Sequence, residues 1–223
     1  MRHYTTGNAG RRRLVAGIAA AAGLALAVGI AGAVLAGTGS SGGGGVPDMR
    51  GNLVAPLPGA TPAAAKLAAM HVVAQDDGQN FRVPAVGLDV PLGALDDVDG
   101  VITPPGFTSA YTVRNKGVTP GHAAQGTVFV VMHSLMGGGM GPGNYLIDEE
   151  HASSRVPVGA VIEVAGLEYK VTGSSAIDRG QLANRAEVWQ NTPNRLVVIT
   201  CLLTPGDNAP IDNMVIYATR TTT

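Results

Sequence analysis

Between residues 81 and 219 the chain runs as short β-type stretches cut by Gly, Pro and Asp turns: FRVPAVGLDVPLG (81–93), GVITPP (100–105), TVFVVMH (127–133), AVIEVAG (160–166), LEYKVTGS (167–174), RLVVITC (195–201) and NMVIYAT (213–219). Many short strands with a single helical stretch, around residues 178–186, predict an all-β barrel or sandwich. A span of about 145 residues suits one domain. TVFVVM and LVVI are apolar on both faces, which places them in the middle of the sheet rather than at an edge.

The N-terminus follows different rules. Arg11, Arg12 and Arg13 precede residues 14–36, 23 positions without a charged or strongly polar side chain. At ~1.5 Å per residue such a helix crosses a hydrocarbon core of ~30 Å. Four arginines and no acidic residue lie before it, counting Arg2, so the positive-inside rule keeps the N-terminus in the cytoplasm. The expected organisation is a cytoplasmic basic tail (1–13), a transmembrane signal-anchor (14–36), a Gly/Ala/Pro-rich linker (37–79) and an extracellular globular domain (80–223). A cleaved signal peptide is the rival reading, because VLAG (34–37) resembles a peptidase site, but signal h-regions run only ~7–15 residues.

Residues 37–79 open with GTGSSGGGG and continue through PLPGATPAAAKLAAM (56–70). So few large apolar side chains cannot offset the entropy of ordering the chain, so most of this segment reads as a tether, with a transient helix over 63–70. Removing the four N-terminal arginines from the 15 basic residues leaves 11 against 16 acidic ones. The outer part is therefore acidic, which argues against a nucleic-acid partner.

The two central strands end on chemically capable residues, His133 and Cys201. Adjacent strands ending at one rim put a thiol beside an imidazole, the pair that nucleophilic acyl transfer needs: a thiolate attacks and an imidazolium protonates the leaving amine. Sheet order is not readable from one sequence, and each residue has an ordinary alternative, a small buried hydrophobe for Cys201 and a hydrogen-bonded boundary residue for His133. Cys201 is the only cysteine, so no internal disulfide can explain it. His122 precedes its strand and belongs at the opposite rim. No His, Cys or carboxylate cluster has metal-ligand spacing. MGGGMGPGNY (136–145) lacks the ending of a phosphate-binding loop and reads as a flexible loop beside the cleft. Trp189 reads as wall packing.

Residues 82–219 resemble the sortases, cysteine transpeptidases of Gram-positive-type cell envelopes, and most closely their class F branch. RVPAVGLDVPLG resembles the family's opening strand pair, GVTPGHAAQGTVFVVMH its approach to the catalytic histidine, NRLVVITC its Thr-Cys strand and IDNMVIYA (211–218) its last strand. The resemblance implies a closed sortase-type β-barrel of about eight strands with short helical loops, preceded by the transmembrane helix. It also implies that Cys201 attacks an LPXTG-like sorting signal, that a thioester forms, and that an amine acceptor of the cell envelope resolves it. His133 would serve as acid and then base, with no metal or organic cofactor.

Two departures stand out. Met132 replaces the glycine before the histidine, and Ile211 stands where the family has an arginine. Asn213, two residues on and on the same strand face, is the candidate replacement, an uncharged donor toward the oxyanion. Arg220 lies at the far end of the last strand, and Arg185 and Arg155 reach the site only if their loops fold over it. The alternative function is a catalytically weakened sortase-fold module that binds extracellular peptides.

Overall fold

The computed structural model describes residues 45–54, 68–73, 75, 78–206 and 212–221. The expected membrane span and Ile211 lie outside the described residues; among those described, no helix is long and apolar enough to cross a membrane.

Eight strands close into a barrel: β3 (Asn80–Val83), β4 (Leu88–Leu95), β5 (Ala110–Val113), β6 (Thr127–Val131), β9 (Val161–Val164), β10 (Leu167–Asp178), β11 (Arg195–Leu202) and β12 (Asp212–Arg220). Their order around the wall is β10-β12-β11-β6-β5-β4-β3-β9, with β9 returning to β10. Of the two architectures the run pattern allowed, closure selects the barrel, which leaves no open sheet edge. Two short hairpins lie outside it, β1 (Val46–Pro47) with β2 (Leu53–Val54), and β7 (Ile147–Asp148) with β8 (Ser153–Ser154).

The central position of β6 and β11 follows from their composition. All five β6 residues are buried, and in β11 only Arg195 is not, so both faces of each strand need cover. They pair parallel, Arg195 with Thr127 through Ile199 with Val131. The crossover between them carries β7 to β10 and two one-turn helices, α1 (Arg179–Leu182), within the expected helical stretch 178–186, and α2 (Ala186–Trp189), which begins at its last residue. The core joins Phe81, Leu88, Phe129, Val131, Tyr169, Leu196, Val198 and Met214, all at most 2% exposed. Trp189 packs on Phe129 at 5.3 Å and donates from Nε1 to the Leu182 carbonyl at 2.8 Å, which makes it part of the wall.

Two pieces of the expected tether are fixed onto the barrel. Met70 is fully buried, and Val73 bridges to Ala94. The β1–β2 hairpin is organised by Asp48, whose carboxylate accepts from the backbone N–H groups of Arg50, Asn52 and Met140 at 2.8–3.0 Å. A Gly-rich composition understates order here because one buried carboxylate gathers several otherwise unpaired backbone donors.

Candidate active site

His133 and Cys201 lie at the same end of the barrel. The β6–β11 ladder pairs Val131 with Ile199, and Met132 N–H still donates to the Ile199 carbonyl at 3.2 Å. The ladder ends there: His133 follows the end of β6 by two residues and Cys201 lies two residues past Ile199 in β11, so both stand where the parallel pair ends. On the other side of the cysteine strand, Cys201 pairs with Asn213, and Asn213 pairs with Ile177 of β10. The row Ile177, Asn213, Cys201 thus crosses three adjacent strands, and two of the three candidate residues from the sequence, Asn213 and Cys201, lie in it side by side.

Thr200 clips the histidine segment to the cysteine strand. Its hydroxyl donates to the Met132 carbonyl at 3.0 Å, so the 2.9 Å contact with Ser134 Oγ has Ser134 as donor, since a hydroxyl carries one proton. Beyond Ser134 the Gly-rich segment is tied down, contrary to the flexible loop its composition suggested. Asn144 Oδ1 accepts from Leu135 and Gly141 N–H at 2.8 Å, and its Nδ2 donates to the Leu135 carbonyl at 3.0 Å. Gly143 N–H donates to the His133 carbonyl at 2.8 Å, an approach open only to glycine, because a Cβ there would collide with Thr200 Oγ1, Ser134 Oγ and the His133 carbonyl.

The imidazole is held in a single tautomer. His133 Nε2 lies 2.9 Å from the Pro104 carbonyl, which can only accept, so Nε2 carries the proton and Nδ1 carries the lone pair. Nδ1 is buried without a hydrogen-bond partner, and is the nitrogen able to take a proton. Phe107 meets the ring edge-on, centroids 5.3 Å apart at 81°. Phe107 is covered in turn by Leu135 and by Val46 and Val54 of the β1–β2 hairpin.

Both reactive groups are sealed, His133 at 1% exposure and Cys201 at 0%. Burial pushes the imidazole down to about 4, opposed by the Pro104 hydrogen bond, and pushes the thiol up to about 11, opposed by the charge of Arg179. Between those values the closed site holds a neutral thiol and a neutral imidazole. Loss of water penalises each charged form separately, so a thiolate–imidazolium pair requires opening, substrate dipoles or a neighbouring charge.

Asn213 is fully buried, and neither its Oδ1 nor its Nδ2 has a partner. A buried amide left unpaired costs about 1–3 kcal/mol. Such a residue opposite a cysteine has spare hydrogen bonds for a ligand.

Arg179, which the sequence reading passed over, is the basic residue whose charge acts on Cys201. Its only sequence signal was its place at the head of the expected helical stretch. Arg220 pairs with Tyr169 at the opposite end of β12, and Arg185 forms an ion pair with Glu187 at 3.6 Å. His122 lies before β6, at the far rim. Among the described residues no group of three or more His, Cys, Asp or Glu side chains converges to hold a metal.

No protein-family model matches this chain, and no curated protein matches it. Solved structures similar to it include sortase A of Listeria monocytogenes, 19% identical over 65% of this chain and 87% of that one, with a TM-score of 0.45. Sortase C-1 of Streptococcus pneumoniae is 13% identical over 65% of this chain and 67% of that one, with a TM-score of 0.47. Sortase C-1 of Actinomyces oris is 14% identical over 71% of this chain and 82% of that one, with a TM-score of 0.48. Likeness this distant assigns neither substrate nor catalytic residues.

Proposed function

We propose that this chain is a sortase-type cysteine transpeptidase of class F character, anchored in a Gram-positive-type cell membrane by residues 14–36 with its barrel outside. The observation that carries the reading is that His133, two residues past the end of β6, and Cys201, near the end of the parallel strand β11, stand at one end of the barrel, with the lone pair of the imidazole on the unpartnered Nδ1.

In the first step His133 Nδ1 takes the Cys201 proton, and sulfur attacks the Thr–Gly carbonyl carbon of an LPXTG-like sorting signal. A C–S bond forms as the carbonyl π electrons move to oxygen. Collapse breaks the C–N bond, and the imidazolium returns its proton to the departing amine, leaving a thioester. In the second step an amine of the cell envelope attacks the thioester carbon and gives its proton to His133. The C–S bond then breaks and the thiol is restored. Every proton is accounted for between Cys201, His133 and the two amines, and neither a metal nor an organic cofactor enters.

The test mixes the 223-residue protein in detergent with LPXTG peptides and a glycine-type amine, and reads intact mass and products together. An acyl adduct present in the wild type and absent in Cys201→Ala, with product absent in His133→Ala, is the expected result. The full burial of both groups favours one second reading, a barrel that binds such peptides without turning them over. Peptide affinity with no adduct, retained in His133→Ala, would select it.

A further inference from the structure

We propose that the far rim of the barrel carries a second site, a groove walled by Gln79, Thr119, Leu167 and Arg220 that binds the phosphate group of a small phosphorylated molecule through the Arg220 guanidinium.

β12 passes Cys201 at Asn213 and ends at Arg220, seven residues and about 23 Å of strand further on. Other elements reach the same rim. The chain before β6 brings Thr119, Pro120 and Gly121 there. A two-residue turn, Ala165 and Gly166, left-handed at both positions with φ of 51° and 76°, joins β9 to β10 and sets Leu167 beside them. With Gln79, at the entrance to β3, these residues and Arg220 enclose a groove of about 450 Å³. That is room for a small molecule.

Arg220 is fixed by its backbone, while its side chain is uncommitted. Its N–H donates to the Asn194 carbonyl at 2.8 Å, and the N–H and hydroxyl of Thr221 both donate to the Glu168 carbonyl, at 2.9 and 3.1 Å, so the strand end is pinned on both sides. The half-buried guanidinium itself has neither a hydrogen bond nor an ion pair among the described residues. Tyr169 stands opposite it in the β10–β12 ladder, so the two side chains share one face of the sheet. Tyr169 is fully buried and its hydroxyl has no partner. Burial pushes that hydroxyl up to about 12, opposed by the charge of Arg220, so it stays protonated and remains a donor.

Two facing residues therefore hold donors that lack acceptors, and a phosphate brings acceptor oxygens with charge to match the guanidinium. Thr119 Oγ1 lies 3.0 Å from His122 Nδ1; when Nδ1 carries the proton it donates to that oxygen and frees the Thr119 O–H for a ligand. Gln79 adds an amide, and no carboxylate lines the groove to compete for Arg220. The donors come from β12, from the chain before β6 and from the entrance to β3. A tetrahedral group with oxygens pointing several ways meets such a set better than a planar carboxylate does.

The test titrates the full chain in detergent, in buffer free of phosphate and sulfate, with inorganic phosphate, glycerol 3-phosphate, dihexanoylphosphatidylglycerol and acetate, read by calorimetry. One-site saturation by a phosphate compound is expected, weakened tenfold or more in Arg220→Gln, regained in part in Arg220→Lys and weakened several-fold in Thr119→Val. The tightest of the three phosphate compounds separates a free anion, a soluble ester and a lipid headgroup as the source. Cys201→Ala should bind as the wild type does, which makes the result independent of the transpeptidase reading.

Thermal unfolding checks that each variant is folded, and Thr119→Val carries the comparison if the Arg220 variants are not. A folded wild type that none of the phosphate compounds saturates overturns the proposal. So do affinities unchanged in Arg220→Gln and Thr119→Val, or acetate binding as tightly as phosphate.

Discussion

Cys201 lies directly opposite Asn213 in the antiparallel ladder of β11 and β12, and both side chains are sealed from solvent, the amide without a single hydrogen bond. A thiol and an unpaired amide facing each other in a barrel wall are a poor arrangement for stability and a usable one for chemistry. Natural cores retain an orphan polar group of this kind where a ligand or transition state completes it.

Asn213→Leu should therefore leave thermal stability unchanged or raise it, since an apolar side chain of similar volume removes an unpaired amide that costs about 1–3 kcal/mol. The same variant should slow acyl-adduct formation. Thermal unfolding measured beside the adduct rate checks this, and a fall of several degrees in Tm would make Asn213 a structural residue instead.

Stability should form a plateau bounded by the two buried groups. The His133 imidazole titrates near 6.5 when unfolded and near 4 when folded, so the unfolded chain binds the extra proton and stability falls as pH drops through that window. The loss is on the order of 3 kcal/mol once pH is below both values. Cys201 works in reverse: its thiol ionises near 9 unfolded and near 11 folded, so stability falls as pH rises from 9 to 11. Tyr169, pushed by burial to about 12, adds to the alkaline loss. Denaturant unfolding against pH should show the alkaline limb shrink in Cys201→Ala and the acid limb shrink in His133→Phe, leaving the loss from carboxylates such as Asp48 that are held below their ordinary range. Limbs unchanged by these substitutions would mean that neither group titrates as buried.

Gly143→Ala should disturb the site without touching a reactive atom. The added methyl meets Thr200 Oγ1, Ser134 Oγ and the His133 carbonyl, so the bond from Gly143 N–H to His133 must stretch or break. The expected cost is about 1–3 kcal/mol of stability, typical of overpacking, together with at least a tenfold loss of adduct rate. Urea unfolding and single-turnover acylation measure the two, and a variant as stable and as fast as wild type would show that the segment relaxes freely.

The β1–β2 hairpin should control access to the histidine. Val46 and Val54 pack on the cluster of Phe107 and Leu135, Phe107 lies against the His133 ring, and Asp48 ties the hairpin to Met140. Asp48→Ala, which removes the acceptor for three backbone N–H groups, should raise the iodoacetamide rate at Cys201 several-fold with the barrel intact. An unchanged rate would place the route to the thiol elsewhere.

Much of the architecture was written in local pattern. The alternation of apolar runs with Gly, Pro and Asp turns announced a β domain, and the doubly apolar TVFVVM and LVVI runs announced central strands, because a strand without a polar face must be covered on both sides. The places of His133 and Cys201 were legible for the same reason, at the ends of two fully apolar runs that the barrel buries.

Composition misjudged residues 45–54 and 136–145. There, single polar side chains, Asp48 and Asn144, gather backbone donors that are distant in sequence, and a window of Gly and Pro carries no trace of that bonding.

By itself the sequence determined the strand inventory, the single thiol and the residue types able to perform acyl transfer, since these depend only on neighbours along the chain. Only the tertiary structure decided which strands are adjacent, that β11 runs parallel to β6 so that His133 and Cys201 stand at the same end of the barrel, and that Asn213 stands opposite the thiol unpaired. Strand order and register are set by burying both faces of a closed sheet at once, a condition satisfied by the whole barrel and expressed by no single segment of it.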